Sequence, residues 1–358
     1  MRRVCFFGAW DPAYPRNRIL REGLRRAGAE VLEARVTAAR AFRRYPALLG
    51  AFGREARTAD VLFVPEFRHK DVPLARALAG KRRLVFDPLV SRRDTLVADW
   101  GLHAEGSAQA CWNEWLDRWS LSLADLVLCD TWAHGELYAS LGVPRNRLRR
   151  VLVGAEDAFF AVGAAVPAPE PVRIVYVGGF LPLHGTRVIV EAVGLLERGA
   201  RGLPEFQVEM VGSGIEYAAA REQAERLRLR RISFTGNVAY AEAPRVLAAA
   251  HVVLGAFGTG AKAGRVIPHK VYQGLAAARA VVTGDGAGLR EVCEPGRHLA
   301  AVPRGNAEAL AVEMARLVGD AGERAALARA GRARALEVGT PDRVGESLLE
   351  ALVGGEGA

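Results

Sequence analysis

Short apolar strands alternate with amphipathic helices along the chain, and this alternation constrains the fold more than any other feature. In the first half the predicted strands are Arg3–Phe7, Glu30–Arg35, Val61–Val64, Leu84–Phe86, Leu126–Cys129 and Arg150–Val153. The predicted helices between them are Asn17–Ala27, Pro73–Ala79, Ser107–Leu123 and Ala133–Leu141. Strand–helix–strand units bring their strands together in parallel and cover both sheet faces with helices. The pattern therefore predicts an α/β protein built on parallel sheets.

The same alternation restarts after a proline-rich stretch, so the sequence predicts two similar domains. Residues 163–171 contain three prolines in nine positions and have the composition of an extended linker. A chain of 358 residues also suits two domains of ordinary size. We expect an N-terminal domain at 1–162 and a C-terminal domain at 172–340. A last helix at 341–358 follows, and the sequence does not decide whether it packs against the N-terminal domain.

Composition favours a globular protein in a reducing compartment. Half of the residues are hydrophobic and a quarter are charged, as in globular proteins. The four cysteines are far apart in the sequence, which argues against a disulfide framework and against a thiolate metal site. We see neither a secretory signal nor an apolar run long enough to span a bilayer. These observations predict a cytoplasmic location.

Positive charge is concentrated in the first half of the chain. Residues 1–165 hold 26 Lys plus Arg against 19 Asp plus Glu, a net charge of +7 out of +9 for the whole chain. No nucleic-acid-binding motif accompanies this charge, so we expect no nucleic-acid partner. Residues 38–57 interleave arginines with apolar side chains, which is typical of a basic amphipathic helix. Such a helix can contact the inner face of a membrane peripherally, or it can pack inward with solvated arginines.

The stretch from Lys262 to Gln273 is the strongest candidate for a binding site. Lys262, Arg265 and Lys270 crowd the start of a predicted helix, with His269 among them and no acid between. A helix N-terminus carries partial positive charge and disfavours cations unless an anion is bound there. Pro268 suits the first helical position. The stretch therefore predicts a phosphate site, with a solvated basic loop as the alternative.

Several polar residues follow the predicted strands of the first half. In open α/β sheets, ligands bind beyond the carboxyl ends of the strands. The candidates for acceptor contacts there are Gly8, Tyr14, Arg16, Asn17 and Asp94, and Asp87 is a candidate catalytic carboxylate. A proline-rich turn with Asn17 as a helix cap is the alternative for the first four.

Four motifs, in order, resemble the family 4 glycosyltransferases of GT-B fold. The first runs from Val175-Tyr176-Val177-Gly178-Gly179 to Leu183-His184-Gly185 and resembles the strand and glycine turn that open the donor site. Phe234-Thr235-Gly236-Asn237-Val238 resembles the nucleobase-contacting turn. Arg265 to Ala276 resembles a variant of the donor motif, and Gly286 to Glu291 resembles the glycine-containing loop that follows it.

The resemblance implies two Rossmann-like domains whose parallel sheets face a central cleft. It implies a nucleotide-sugar donor bound mainly by the C-terminal domain, a saccharide, lipid-linked or small-molecule acceptor bound by the N-terminal domain, and transfer with retention. No Asp-x-Asp pair occurs, so we expect neither a metal nor another cofactor. Arg265 and Lys270 would stabilise the leaving diphosphate. The implied donor-site residues are Gly178, Gly179, His184, Gly212, Asn237, Val238, Arg265, Lys270 and Gln273.

The sequence departs from the family pattern at four positions of the donor site. Arg265 and Gln273 stand where the family commonly has two glutamates, and Gly179 and His184 stand where it often has Arg and Lys. Gln273 has one carbonyl acceptor and no charge, so it should hold ribose more weakly than Glu. A catalytically weakened GT-B protein that binds sugar nucleotides or a partner is therefore the alternative. A dinucleotide-dependent oxidoreductase, suggested by Gly212-x-Gly214, lacks the third glycine and the acid of that fingerprint.

Overall fold

Two compact units make up the chain in a computed structural model, which describes residues 2–37, 40–165 and 167–354. Nothing is described of the side chains of Ala41 and Phe42. The first unit comprises Met1–Val153 and Pro341–Ala358, and the second comprises Gly154–Thr340. The division thus falls at 153/154, whereas the sequence placed a linker at 163–171, and the described residues of that segment belong to the second unit.

The first unit is built on a six-stranded parallel sheet of order β2-β1-β3-β4-β5-β6. Its strands are β1 (Arg3–Gly8), β2 (Glu30–Arg35), β3 (Val61–Val64), β4 (Arg83–Phe86), β5 (Leu126–Cys129) and β6 (Leu148–Arg150). Its first helices are α1 (Pro15–Arg26), α2 (Ala41–Glu55), α3 (Val72–Ala79), α4 (Ala108–Leu123) and α5 (Trp132–Ser140).

Alternation along β1 shows how this sheet separates two cores. Val4 and Phe6 pack with α1 on one face, and Cys5 and Phe7 pack with α2 and α3 on the other. Because successive strand residues point to opposite faces, a strand that is covered on both sides must be apolar throughout. This is why residues 4–7 of β1 and all residues of β3 form unbroken apolar runs in the sequence.

The second unit repeats this architecture with the strand order β12-β11-β10-β7-β8-β9. Its strands are β7 (Val172–Val177), β8 (Phe206–Val211), β9 (Ile232–Gly236), β10 (Val252–Leu254), β11 (Ala280–Gly284) and β12 (Ala300–Val302). Its helices are α6 (Asp157–Ala161), α7 (Thr186–Arg198), α8 (Tyr217–Arg226), α9 (Ala243–Ala248), α10 (Ala261–Arg265), α11 (His269–Ala276), α12 (Ala287–Arg290), α13 (Ala307–Gly319) and α14 (Ala321–Val338).

Each strand order contains one point at which the direction of winding reverses. In the first sheet this point lies between β1 and β3, and in the second it lies between β7 and β10. Neighbouring connections there leave the sheet on opposite faces, so a crevice opens beyond the carboxyl ends of the two strands. The two crevices are where ligands are expected.

The last helix, α15 (Pro341–Val353), returns to the first unit and packs on α1. The two helices touch at glycines: a Cβ on Gly23 would come within 2.3 Å of the Pro341 carbonyl oxygen, and one on Gly345 within 2.1 Å of Gly23. Leu348 and Leu352 then complete the core beneath α1.

Most predicted elements agree with the structure, and the differences are local. The strand predicted at 150–153 lies at 148–150 instead, and β12 and α6 were not predicted. Pro268 is the residue before α11 and not its first helical residue. The predicted loop before it contains the short helix α10, which is held from outside because Arg304 Nη1 donates to the Gly260 carbonyl oxygen (3.0 Å).

The basic segment at 38–57 contributes its apolar face to the core of the first unit. Leu48, Ala51 and Phe52 are buried there, and Arg44 pairs with Asp71 at 2.9 Å. Ala38 and Ala39, at the start of the predicted membrane-contacting segment, lie outside the described residues. Among the described helices, none is both long and apolar enough to cross a membrane.

The α1–α15 contact yields a first prediction. Gly345→Ala should lower the free energy of unfolding by about 1–3 kcal/mol, because the added methyl group meets backbone atoms that cannot move aside. Gly53→Ala in α2, where a Cβ meets nothing within 4 Å, is the matched control. That change should raise the free energy of unfolding by up to about 1 kcal/mol. Denaturant unfolding measures both, and equal effects would contradict this packing.

Candidate functional site

Two glycine turns touch at the carboxyl edge of the second sheet. Gly178 follows β7 with φ +145°, and Gly212 follows β8 with φ +130°. A Cβ on Gly212 would lie 2.0 Å from the Gly178 carbonyl oxygen. Only glycine fits this approach, because both the backbone conformation and the space exclude a side chain. The result is an open backbone surface beside the crevice between β7 and β10.

Lys270 lies against this turn with its ammonium group buried. Its side chain is 5% exposed, and no described residue accepts a hydrogen bond from Nζ. A Cβ on Gly178 would come within 2.9 Å of Nζ, and Nζ lies 3.9 Å from the centroid of the Tyr176 ring. Burial lowers the pKa of Lys270 well below its ordinary value. A buried cation is costly without an anionic partner, so this position favours the binding of an anion.

The N-terminus of α11 adds to the positive potential around Lys270. Lys270 is the second residue of this helix, and the first turn contains no acid. The free N–H groups of a helix start carry partial positive charge and bind anions. Lys262 is also buried, and Arg265 is half-buried at the end of α10. The charges of Lys262 and Lys270 both act on His184, so two cations of the predicted phosphate stretch lie in one region.

His184 lies in the same neighbourhood but contributes no charge. Burial lowers its pKa well below the ordinary value, and the positive charges of Lys270 and Lys262 act in the same direction. Its Nδ1 is hydrogen-bonded to the Gly179 carbonyl oxygen, which also accepts from the Tyr176 hydroxyl. A neutral imidazole must donate through Nδ1 in this contact, which leaves the lone pair on Nε2. His184 thus orders the glycine turn.

Backbone contacts hold α10 against the loop that follows β11. A Cβ on Gly286 would lie 2.6 Å from the Gly264 carbonyl oxygen, and one on Gly264 would lie 2.7 Å from Arg304 Nη1. Arg304 therefore supports the helix that carries Lys262 and Arg265. The glycine-containing loop noted in the sequence, Gly286 to Glu291, serves here as a packing surface for α10.

Gln273 belongs to a hydrogen-bonded chain that ends on a carboxylate. Its side chain is 6% exposed, and Nε2 donates to the Tyr240 hydroxyl oxygen at 2.9 Å. The Tyr240 hydroxyl donates in turn to Glu156 Oε2 at 2.5 Å. Because Nε2 is committed to Tyr240, the amide presents Oε1 as its acceptor. Asn237 and Val238 lie just before Tyr240, in the turn after β9, with Asn237 exposed.

In the first unit, the predicted catalytic carboxylate and a predicted acceptor-side arginine form one buried ion pair. Arg16 Nε donates to Asp87 Oδ2 at 2.9 Å, and Nη2 donates to Oδ1 at 3.1 Å. Arg16 Nη1 also donates to the carbonyl oxygens of Val151 and Leu152. The pair ties α1 to β4 and to the chain after β6. Both Asp87 oxygens are therefore engaged in a structural contact.

The other acceptor-side candidates lie around the crevice between β1 and β3, with one exception. Gly8 ends β1, half-buried Tyr14 precedes α1, and Asn17 is fully buried in the first turn of that helix. Asp94 begins a turn of π-helix at 94–99 after β4, and its N–H donates to Ser91 Oγ at 3.0 Å. It thus lies on the segment that packs against α4 through Ser91 and Asp117.

Three residues of these two regions were not among the site residues predicted from the sequence. Glu156 and Tyr240 are distant from Gln273 in the chain, so no motif joins them. Glu66 follows β3 and is buried beside Asn17. Its position just past a strand end, in the pattern Val64-Pro65-Glu66, was the available signal.

Comparisons with known proteins agree with this architecture. Residues 171–320 match the family described as Glycosyl transferases group 1. No curated protein sequence matches the chain. Among solved structures, Anabaena HepE in complex with UDP-glucose is similar over 99% of this chain and 100% of its own, with 15% identity and a TM-score of 0.71.

Two further structures show the same likeness over nearly the whole chain. Sucrose-phosphate synthase from Thermosynechococcus elongatus covers 98% of both chains with 17% identity and a TM-score of 0.74. A glycosyltransferase from Rickettsia africae covers 99% of both chains with 12% identity and a TM-score of 0.69. The fold is GT-B. The match to the Glycosyl transferases group 1 family covers only residues 171–320 of the chain, within the second unit.

The buried carboxyl group of Glu66 yields a second prediction. Burial raises the pKa of Glu66 to about 8, with Asp87 acting in the same direction. In the unfolded chain the Glu66 carboxyl ionises near its ordinary pKa. The native protein therefore loses stability as the pH rises from that ordinary pKa to the raised pKa of the folded state. Glu66→Gln removes this loss, by up to roughly 1.4 kcal/mol per pH unit. The free energy of unfolding of the variant, relative to that of the wild type, should be higher at pH 8 than at pH 5. A pH-independent difference would contradict the raised pKa.

Proposed function

We propose that the chain is a retaining, metal-independent glycosyltransferase of the family 4 type. It moves a sugar from a nucleotide-sugar donor to a hydroxyl of a saccharide, lipid-linked or small-molecule acceptor. The observation that carries the proposal is the buried Lys270 ammonium, which lies at the junction of a glycine turn and a helix N-terminus. It has no hydrogen-bond partner in the part of the chain that the structure describes. That combination suits a diphosphate, which brings both negative charge and acceptor oxygens.

In this proposal the chain's own cations take the place of a metal ion. As the glycosidic bond breaks, the leaving nucleoside diphosphate gains negative charge. Lys270, Arg265 and the N–H groups at the start of α11 stabilise that charge in a site from which water is largely excluded. The arginine fork suits two phosphate oxygens, and the lysine acts as a point charge. Because His184 is neutral, it plays no part in neutralising the diphosphate.

We assign the nucleoside side of the donor to Gln273 and the turn after β9. The free Oε1 of Gln273 can accept from one ribose hydroxyl, and Asn237 and Val238 lie in the exposed turn that would meet the base. A UDP-sugar is the first donor to test, since the similar HepE structure contains UDP-glucose. On the acceptor side, Arg16 and Asp87 hold the crevice of the first unit in shape, and Gly8, Tyr14 and Asn17 line its edge.

The direct test is release of UDP from UDP-glucose by the purified protein, with water or a supplied hydroxyl compound as acceptor. Product anomers resolved by NMR decide between retention and inversion, and addition of a chelator tests independence from metal. The neutral His184 and the amide of Gln273 favour one other function, a weakened protein that binds sugar nucleotides. UDP binding without turnover of UDP-, GDP-, ADP- or TDP-sugars would favour that second function.

Lys270→Met gives a third prediction, with opposite effects on stability and binding. The methionine keeps most of the side-chain volume and removes the buried unpartnered ammonium. The ligand-free protein should therefore gain about 1 kcal/mol in free energy of unfolding. UDP affinity should fall about 10- to 100-fold, the scale of a lost charged hydrogen bond. Denaturant unfolding and calorimetry measure the two effects.

Lys81→Met is the matched control, because Lys81 is an exposed lysine of the first unit. It should change neither quantity appreciably. If Lys270→Met bound UDP as tightly as the wild type, Lys270 would not contact the diphosphate and the proposed function would lose its main support.

The chain Gln273–Tyr240–Glu156 gives a fourth prediction. Gln273→Glu alone removes the N–H that Tyr240 accepts and places a second carboxylate near Glu156, so UDP affinity should not improve. Adding Glu156→Gln moves the carboxylate to position 273 and restores an amide on the other side of Tyr240. The double variant should bind UDP about tenfold more tightly than Gln273→Glu. Calorimetry on wild type, both single variants and the double variant measures the coupling. If the change in binding free energy of the double variant equals the sum of the changes in the two single variants within about 0.5 kcal/mol, the coupling through Tyr240 is contradicted.

A further inference from the structure

Glu66 presents a buried oxygen that nothing in the described structure satisfies. Its side chain is 5% exposed, yet Oε2 has no hydrogen-bond partner among the described residues. Glu66 follows β3, so it stands at the point between β1 and β3 where the winding of the first sheet reverses. Buried polar atoms are nearly always paired, and an unpaired one costs about 1–3 kcal/mol. The atom thus indicates either a bound ligand or an ordered water.

Asn17 supplies a second unsatisfied oxygen at the same place. It is fully buried, its Nδ2 donates to the Asp11 carbonyl oxygen at 2.7 Å, and Oδ1 has no partner among the described residues. Asn17 is also a hydrogen-bonding neighbour of Glu66. Glu66 at the end of β3 and Asn17 in α1 are therefore neighbours, and each has one oxygen without a hydrogen-bond partner among the described residues.

The charges around these oxygens select the chemistry of the ligand. Arg16 is paired with Asp87 in the buried ion pair, so its positive charge is already neutralised and is not available to an anionic ligand. Burial raises the pKa of Glu66 to about 8, although the hydrogen bond with Asn17 and the charge of Arg68 oppose that effect. A protonated carboxyl and an amide both donate and accept hydrogen bonds, as a hydroxyl group does. Neutral groups of this kind suit alcohol hydroxyls better than phosphate or carboxylate.

We propose that Glu66 and Asn17 form a subsite for the hydroxyl groups of a neutral polyol, the sugar-like part of the acceptor. The two buried oxygens are the evidence that a subsite exists. The identification of its ligand as an acceptor rests on the proposed function. Glu66 fixes the acceptor by hydrogen bonds to its hydroxyls. Tyr14 precedes α1 at the edge of the same crevice.

The test uses glucose, galactose and myo-inositol as probes, each titrated against the full chain by saturation-transfer NMR. At least one should bind the wild type. Glu66→Leu and Asn17→Ala should weaken that binding at least about tenfold, the equivalent of about 1.4 kcal/mol. Glu66→Gln fits the same space and, like a protonated carboxyl, both donates and accepts hydrogen bonds, so it should fold and keep most of the wild-type affinity. Glu55→Gln, at an exposed carboxylate in the same unit, should bind as the wild type does.

UDP binding, measured in the same samples, separates this inference from the proposed function. Variants that lose the polyol but bind UDP normally support the subsite and show that the second unit is intact. A wild type that binds a polyol but not UDP would overturn the donor proposal and leave the subsite standing. Absence of binding for all three probes, or equal binding in Glu66→Leu, Asn17→Ala and wild type, would overturn the subsite and assign the oxygens to ordered water.

Discussion

The buried ammonium group of Lys270 is the constraint on which the second unit depends. A lysine placed against an aromatic ring and a glycine turn, without an acceptor, costs free energy unless an anion joins it. The surroundings follow from that placement. Gly178 has no side chain because Nζ occupies the space, Tyr176 offers its ring face, and His184 is held neutral beside two lysines. The site is organised for a ligand that is itself charged.

The first unit handles charge in the opposite way. Arg16 and Asp87 are as deeply buried as Lys270, but each satisfies the other, and Arg16 also reaches two carbonyl oxygens. Such a pair fixes the positions of α1 and β4 and leaves no net charge at the crevice. Glu66 Oε2 and Asn17 Oδ1 are two buried oxygens of this unit that have no hydrogen-bond partner among the described residues. The proposed diphosphate site thus rests on buried cations, and the proposed acceptor subsite rests on a carboxyl and an amide.

Local sequence patterns predicted the elements well where strands are buried on both faces and helices carry one apolar stripe. Residues 61–64 and 126–129, which are buried throughout, were predicted with the bounds that the structure has. The pattern failed where a neighbour decides the conformation. Helix α10 contains glycine and reads as a loop, but contacts from Arg304 and Gly286 hold it helical. Strand β12 has three residues, too few to show a period, and forms because β11 offers it a partner.

The sequence by itself determined the parallel α/β architecture, the two units and the cluster of cations before α11, because hydrophobic periodicity and charge are properties of neighbouring residues. Only the tertiary structure decided which of those cations lacks a partner, that Gln273 is tied to Glu156 through Tyr240, and that Asp87 is occupied by Arg16 while Glu66 is not. These outcomes join residues 33 to 84 positions apart in the chain or depend on burial. Burial and long-range pairing arise from packing, and packing is set by all elements together.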